Sequence, residues 1–187
     1  MPSRASRRFS PMAKVFRQAM LDGAFGFSTT VLGIHVGHEG QPLACRHANH
    51  DEYRALCGVL KELDRGAIEL TVTPTDTVSA AQRELLQLLV EESGRPVTYV
   101  GSFNTPGTRD TYVQKMAALS DLIGRDRLVP QTTCHPIKFQ FHLRNPFILG
   151  IFECWRPVMA MSQEDKIRAY RTPEFREQFR RDILKNE

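Results

Sequence analysis

The most constraining feature of this chain is a rhythm. Between residues 10 and 134 an opening helix and strand are followed by three repeats of loop, amphipathic helix and short apolar strand. Ser10 and Pro11 read as an N-cap followed by proline at the first helical position. Met12, Val15, Phe16, Ala19 and Met20 then share one helical face up to Gly23, and "AFGFSTTVL" is the first extended run. Asn49 with Glu52 signals the next helix start, and Tyr53, Leu56, Cys57, Leu60 and Leu63 form its apolar stripe up to Gly66. "AIELTVT" is the second strand. Ser79 with Gln82 opens a helix carrying Leu85, Leu86, Leu88 and Leu89 to Gly94, and "PVTYVGSF" is the third strand. Thr108 to Ile123 reads as helix, and "RLVPQTTC" as a fourth run with Pro130 inside it, which demotes a central strand.

Strands alternating with helices imply parallel pairing through right-handed crossovers. The fold class is therefore α/β. A closed barrel of this kind uses eight strands and about 250 residues. This chain of 187 residues offers four such strands, so the parallel βα units form either an open sheet or part of a (β/α)8 TIM-like barrel. Sites in such sheets lie at the carboxyl ends of the strands, here Thr29-Thr30, Val72-Thr73, Ser102 to Asn104 and Thr133 to His135.

After residue 135 the rhythm stops. "IKFQFHL" alternates apolar and polar residues and predicts one amphipathic strand, which "RNPF" breaks. Ser162 and Asp165 cap a short helix, and Thr172-Pro173 starts a last one, striped by Phe175, Phe179 and Ile183. The expected organisation is a partial βα barrel segment over 1–135 and a strand–loop–helix extension over 136–187 packing on it.

Composition narrows the partners. The net charge of +4 is spread over helix faces and the chain ends, without the aromatic interleaving of a nucleic-acid surface. No apolar run approaches the roughly 20 residues of a membrane span. The basic start has no apolar stretch behind it, so no secretory signal is expected. The four cysteines, Cys45, Cys57, Cys134 and Cys154, show no CxxC spacing and suit reduced thiols in a cytoplasmic protein.

Several residues carry chemistry. "HVGHEGQPLACRHANH", residues 35 to 50, holds four of the six histidines. His35 and His38 lie among Gly37, Gly40 and Pro42, which make turns rather than the rigid ligand spacing of a zinc site. The stretch reads as a plain surface loop, and no metal ligand set is assigned. Glu69, between Ile68 and Leu70, is a catalytic candidate as a general base facing a barrel interior, or else a paired structural carboxylate or an exposed edge residue. His135 follows the fourth strand directly and is the second catalytic candidate. Arg144 and Asn145 read as holders of a carboxylate, or as loop-stabilising groups. Ser28, in "GFST", has no assignable histidine partner and reads as a small residue packed at a strand end.

The ordered series "AMLDGAFGFSTT", "GAIELTV", "ESGRPVTYV", "PQTTCHPIKFQFHLRNPF" and "WRPVMAMSQEDKIRAYRTPEFREQFRRDI" resembles the amidohydrolase superfamily, in particular its N-acyl-D-amino-acid deacylase (D-aminoacylase) branch. The resemblance runs from about residue 9 to 183. It implies a (β/α)8 barrel and zinc-dependent hydrolysis of a non-peptide C–N bond in N-acyl amino acids. Members are much longer, and this chain corresponds to their central-to-late strands. Their early His-x-His pair lies upstream of it and their late catalytic aspartate beyond it. Their middle metal histidines fall at Thr71-Val72 and Gly101-Ser102, which cannot bind zinc as imidazole does. The resemblance places the loop carrying His35 and His38 near the substrate cleft, and an acylated amino acid supplies a carboxylate for Arg144 and Asn145. The expectation is a hydrolase-like fragment that takes a small amide substrate, needs no cofactor of its own and does not hydrolyse alone. A homo-oligomer, or a missing barrel half, would complete it. The alternative is a non-catalytic α/β module that binds or self-associates.

Overall fold

The computed structural model describes residues 10–33, 35–37, 41–72, 78–100, 111–123, 127–136, 138 and 140–185. They form two compact units, residues 1–32 with 44–134, and 33–43 with 135–187.

The first unit is α/β. Helix α1 (Ser10–Leu21) leads into β1 (Gly26–Thr30). Then follow α2 (His50–Leu63), β2 (Ala67–Thr71), α3 (Ala80–Ser93) and β3 (Val97–Val100). Helices α4 (Thr111–Ala118) and α5 (Ser120–Ile123) precede β4 (Leu128–Gln131). The helix expected over Thr108–Ile123 is thus broken at Leu119, and residues 108–110 lie outside the described set. Leu119 is fully buried, so packing holds the chain where the helical ladder is interrupted.

All four strands pair in parallel in the order β1-β2-β3-β4. That order never reverses, so right-handed crossovers place every connecting helix on the same face. Ile68, Leu70, Val97, Tyr99 and Leu128 point to that face and are buried with Met20, Cys57, Leu60, Leu86, Leu89 and Leu122. Each such side chain contributes about 1.5–3 kcal/mol of transfer free energy. Residues of the other parity (Ser28, Glu69, Thr98 and Val129) are partly or largely exposed. One sheet face is closed by helices and the other is left open among the described residues.

The caps of α2 and α3 follow the sequence with one exception. Ser79 and Gln82 form a complete capping box, and the Asn49 side chain accepts the Glu52 N–H at 3.0 Å. Helix α2, however, is closed by Asp64 in the left-handed region (φ 47°), two residues before the expected Gly66. Gly66 has its own reason to be glycine. At φ +97° an added Cβ would lie 2.8 Å from Met20 Cε and 2.9 Å from Leu60 Cδ2.

Pro130 sits in β4, which is an edge strand of the described sheet. The Val97 N–H donates to the Arg127 carbonyl at 2.6 Å. Parallel ladders alternate, so Val129 and Gln131 also face β3, while Leu128 and Pro130 turn their backbone outward. The proline therefore removes no bond within the sheet and interrupts the ladder that a further strand would need.

The second unit is built on aromatic rings. Three short 3₁₀ segments (Phe147–Ile151, Glu153–Trp155 and Pro157–Ala160) precede α6 (Gln163–Arg171) and α7 (Pro173–Leu184). Trp155 lies 5.0 Å from Phe175, and 5.2 Å from both Phe179 and Tyr170. Ser162 caps α6 by accepting the Asp165 N–H at 3.1 Å, and Thr172 caps α7. The strand expected over "IKFQFHL" is not formed by its described residues, 138 and 140–143. No neighbouring strand pairs with them, and Phe141 and Leu143 remain exposed, so the alternation has no sheet to bury it. In the histidine-bearing loop Val36 bridges Pro42 in antiparallel fashion, and the Gly37 N–H donates to the Gln41 carbonyl at 2.7 Å.

Candidate functional site

The open face of the sheet carries a polar row. Ser28, Glu69 and Thr98 are successive partners in register across β1, β2 and β3. Parity puts all three on the face opposite the apolar core. The Ser28 hydroxyl donates a hydrogen bond to Glu69 Oε2. The Gln131 amide donates to the Thr98 hydroxyl at 2.6 Å. Thr98 keeps its own proton to donate, and Glu69 keeps further acceptor lone pairs. Side by side, the two residues offer an acceptor and a donor to whatever lies on this face.

A hollow of about 290 Å³ opens over this row, lined by Phe25 to Ser28, Ala67 to Glu69 and Thr98. It lies toward the amino ends of the strands. Phe25 stands 94% exposed at its rim. Gly26 permits the close approach beneath it. Its φ is +146°, and a Cβ there would lie 1.7 Å from the Ala67 carbonyl oxygen. The Ala67 N–H in turn donates to the Phe25 carbonyl at 2.9 Å.

Among the described residues, the in-register row at the carboxyl ends of the strands is neutral. The Thr71 carbonyl accepts the Val31 N–H at 3.1 Å and the Thr30 hydroxyl at 3.4 Å. Val100 and Gln131 complete that row. Hydroxyls, an amide and an aliphatic side chain do not make the imidazole, thiolate and carboxylate set that zinc requires. Among the described residues no three His, Cys, Asp or Glu side chains come together as a metal site. Gly101-Ser102, where the resembling family has a metal histidine and this chain has none, and Thr73, at an expected strand end, lie outside the described residues.

The other candidates fall in the second unit. His35 is partly buried in the loop, and His38 lies outside the described residues. His135 is exposed at the start of the unit's main segment, whereas Glu69 belongs to the sheet unit. Arg144 lines a separate hollow of about 370 Å³ with Leu143, Gln163, Lys166, Ile167 and Tyr170. Asn145 is exposed, and its N–H closes a turn on the His142 carbonyl at 2.9 Å.

Sequence reasoning missed Thr98, Gln131 and Lys166. The first two were visible as polar residues at the parity of Glu69 in otherwise apolar strands. Lys166 falls three residues after Gln163 and four before Tyr170, on one face of α6.

Two cysteines are chemically quiet. Burial pushes the Cys57 thiol up to about 12, with Glu92 adding to the shift. Burial and the Asp182 carboxylate raise Cys154 to about 11. Neither is a ready nucleophile.

No family model, no curated protein and no solved structure matches the chain.

Proposed function

We propose that this chain is an amidohydrolase-like barrel segment standing as an open sheet, whose polar face binds a small amide without hydrolysing it alone. The substrate class is the N-acyl amino acids, and the reaction of the whole family type is hydrolysis of their non-peptide C–N bond. One observation carries the reading: Glu69 and Thr98 are in register on the uncovered face. A secondary amide has one donor and one acceptor. Its N–H meets the Glu69 carboxylate and its carbonyl meets the Thr98 hydroxyl. Ser28 and Gln131 hold these two groups in place through their own hydrogen bonds.

The unreversed strand order, with helices on a single face, supports a barrel-type wall rather than a doubly wound sheet. Pro130 on the outer edge of β4 supports an open form. The neutral donors at the described strand ends support binding without metal-assisted hydrolysis.

The test is titration of N-acetyl-D-leucine into the isotope-labelled chain, followed by backbone NMR. The reading expects saturable shifts centred on residues 28, 69 and 98, with affinity weakened about tenfold in Glu69→Gln and in Thr98→Val. A tenfold loss corresponds to about 1.4 kcal/mol, the scale of one hydrogen bond. Shifts absent from this face, or unchanged affinity in both variants, would overturn it.

A further inference from the structure

Among the described residues, the second unit contains a buried cation with no ion-pair partner. Lys166 is 7% exposed, although lysine is almost never buried unless paired. Its ammonium has three donors. Among the described residues it makes one hydrogen bond, to the Arg144 carbonyl at 3.1 Å, and no ion pair. That carbonyl is shared with the Gln163 amide at 3.3 Å. The Tyr170 hydroxyl donates to the neighbouring Leu143 carbonyl at 2.9 Å. These three bonds tie the backbone of residues 143–144 to α6 and frame the hollow of about 370 Å³ beside them.

The hollow has two kinds of wall. Lys166 and Arg144, one buried and one exposed, are the two cationic residues of its lining. Leu143, Ile167 and the ring of Tyr170 give it apolar surface. The acidic residues nearest in sequence, Glu164 and Asp165, are not part of the lining. Asp165 is taken up by Arg168 and by the Ser162 hydroxyl. Its size is at the lower end of the roughly 300–1,000 Å³ range of small-molecule sites.

We propose that this hollow binds a small amphiphilic monocarboxylate. The carboxylate lies between the Lys166 ammonium and the Arg144 guanidinium, and the aliphatic tail lies on Leu143, Ile167 and Tyr170. A desolvated ammonium is costly until a counter-charge meets it, and a carboxylate supplies both the charge and acceptors for its free protons. The apolar wall selects a tailed anion over a bare one. The residues that line the site all belong to the second unit.

Isothermal titration of the full chain with octanoate tests this, with octylamine and inorganic phosphate as controls. The expected result is one octanoate per chain and no octylamine, with phosphate at least tenfold weaker. Lys166→Met abolishes binding while the melting temperature holds or rises, because the variant removes a buried cation and keeps an apolar stem. Arg144→Gln, an exposed change that leaves the backbone contacts intact, weakens binding severalfold. Octanoate affinity unchanged in both variants would overturn the proposal. So would equal binding of octylamine, which would mark a merely apolar hollow, or phosphate binding as tight as octanoate, which would mark an anion site without a tail.

Discussion

The Ser28 hydroxyl donates to the Glu69 carboxylate from the directly paired position on the neighbouring parallel strand. Both residues lie on the face that the helices leave open, so solvent screens the contact. Glu69→Gln keeps the shape and an acceptor for Ser28. It is expected to change folding stability by less than about 1 kcal/mol in urea unfolding while weakening amide binding. A loss above about 3 kcal/mol would identify Glu69 as a structural carboxylate instead.

Gly26 begins β1 where a side chain would strike the backbone of β2. Gly26→Ala adds a Cβ at a left-handed φ and against a carbonyl that cannot yield without breaking the ladder. The expected cost is about 2 kcal/mol or more, because strain at a positive φ adds to the displaced pairing. Thermal melting of the variant checks it. A melting temperature equal to that of the parent chain would contradict the described β1–β2 register.

The cysteines separate by environment. Cys134 is exposed, whereas Cys57 is fully buried with its thiol pushed up to about 12. At pH 8 a disulfide reagent is expected to modify Cys134 rapidly and Cys57 only after denaturation. Peptide mapping of the labelled thiols reads the order. Rapid native labelling of Cys57 would mean that the core between α2 and the sheet is open.

Asp182 is buried and accepts the Cys154 N–H at 3.0 Å and the Gln178 amide at 2.9 Å. The Cys154 N–H is the main reason that its carboxyl is held below the ordinary range. A depressed folded pKa gives a contribution that is complete above the unfolded value, near pH 4. The contribution is lost as pH falls through the folded value. Trp155 is the only tryptophan and packs in the same unit, so its fluorescence reports this loss. The acid transition is expected to be shallower in Asp182→Asn than in the parent chain. Identical acid profiles would remove Asp182 from the account.

The sheet was legible because parallel strands buried on one side and bounded by capped helices leave a repeating signature. The strands Ala67–Thr71 and Leu128–Gln131 fall within the runs "AIELTVT" and "RLVPQTTC". Periodicity failed at "IKFQFHL", where alternation implied a strand that has no partner to pair with. It also gave the stop of α2 to Gly66, because a left-handed aspartate is rarer than a left-handed glycine. Of the site, Glu69 was visible as a carboxylate flanked by core residues. Thr98 and Gln131 were visible only as polar residues in apolar strands; that they stand beside Glu69 was not, because register between strands more than twenty residues apart is a tertiary fact. Lys166 was hidden by its type: a lysine on a charged helix reads as solvated until the neighbouring turn at residues 143–145 is placed over it.

The central claim is that the chain holds an amide on a barrel-type wall and lacks a complete hydrolytic centre. Its most direct test is the release of free amino acid from N-acetyl-D-leucine by the purified chain in zinc-supplemented buffer, measured beside the NMR titration of the same ligand. The account predicts saturable binding with no release above the enzyme-free control. Zinc-dependent release that scales with chain concentration would contradict it.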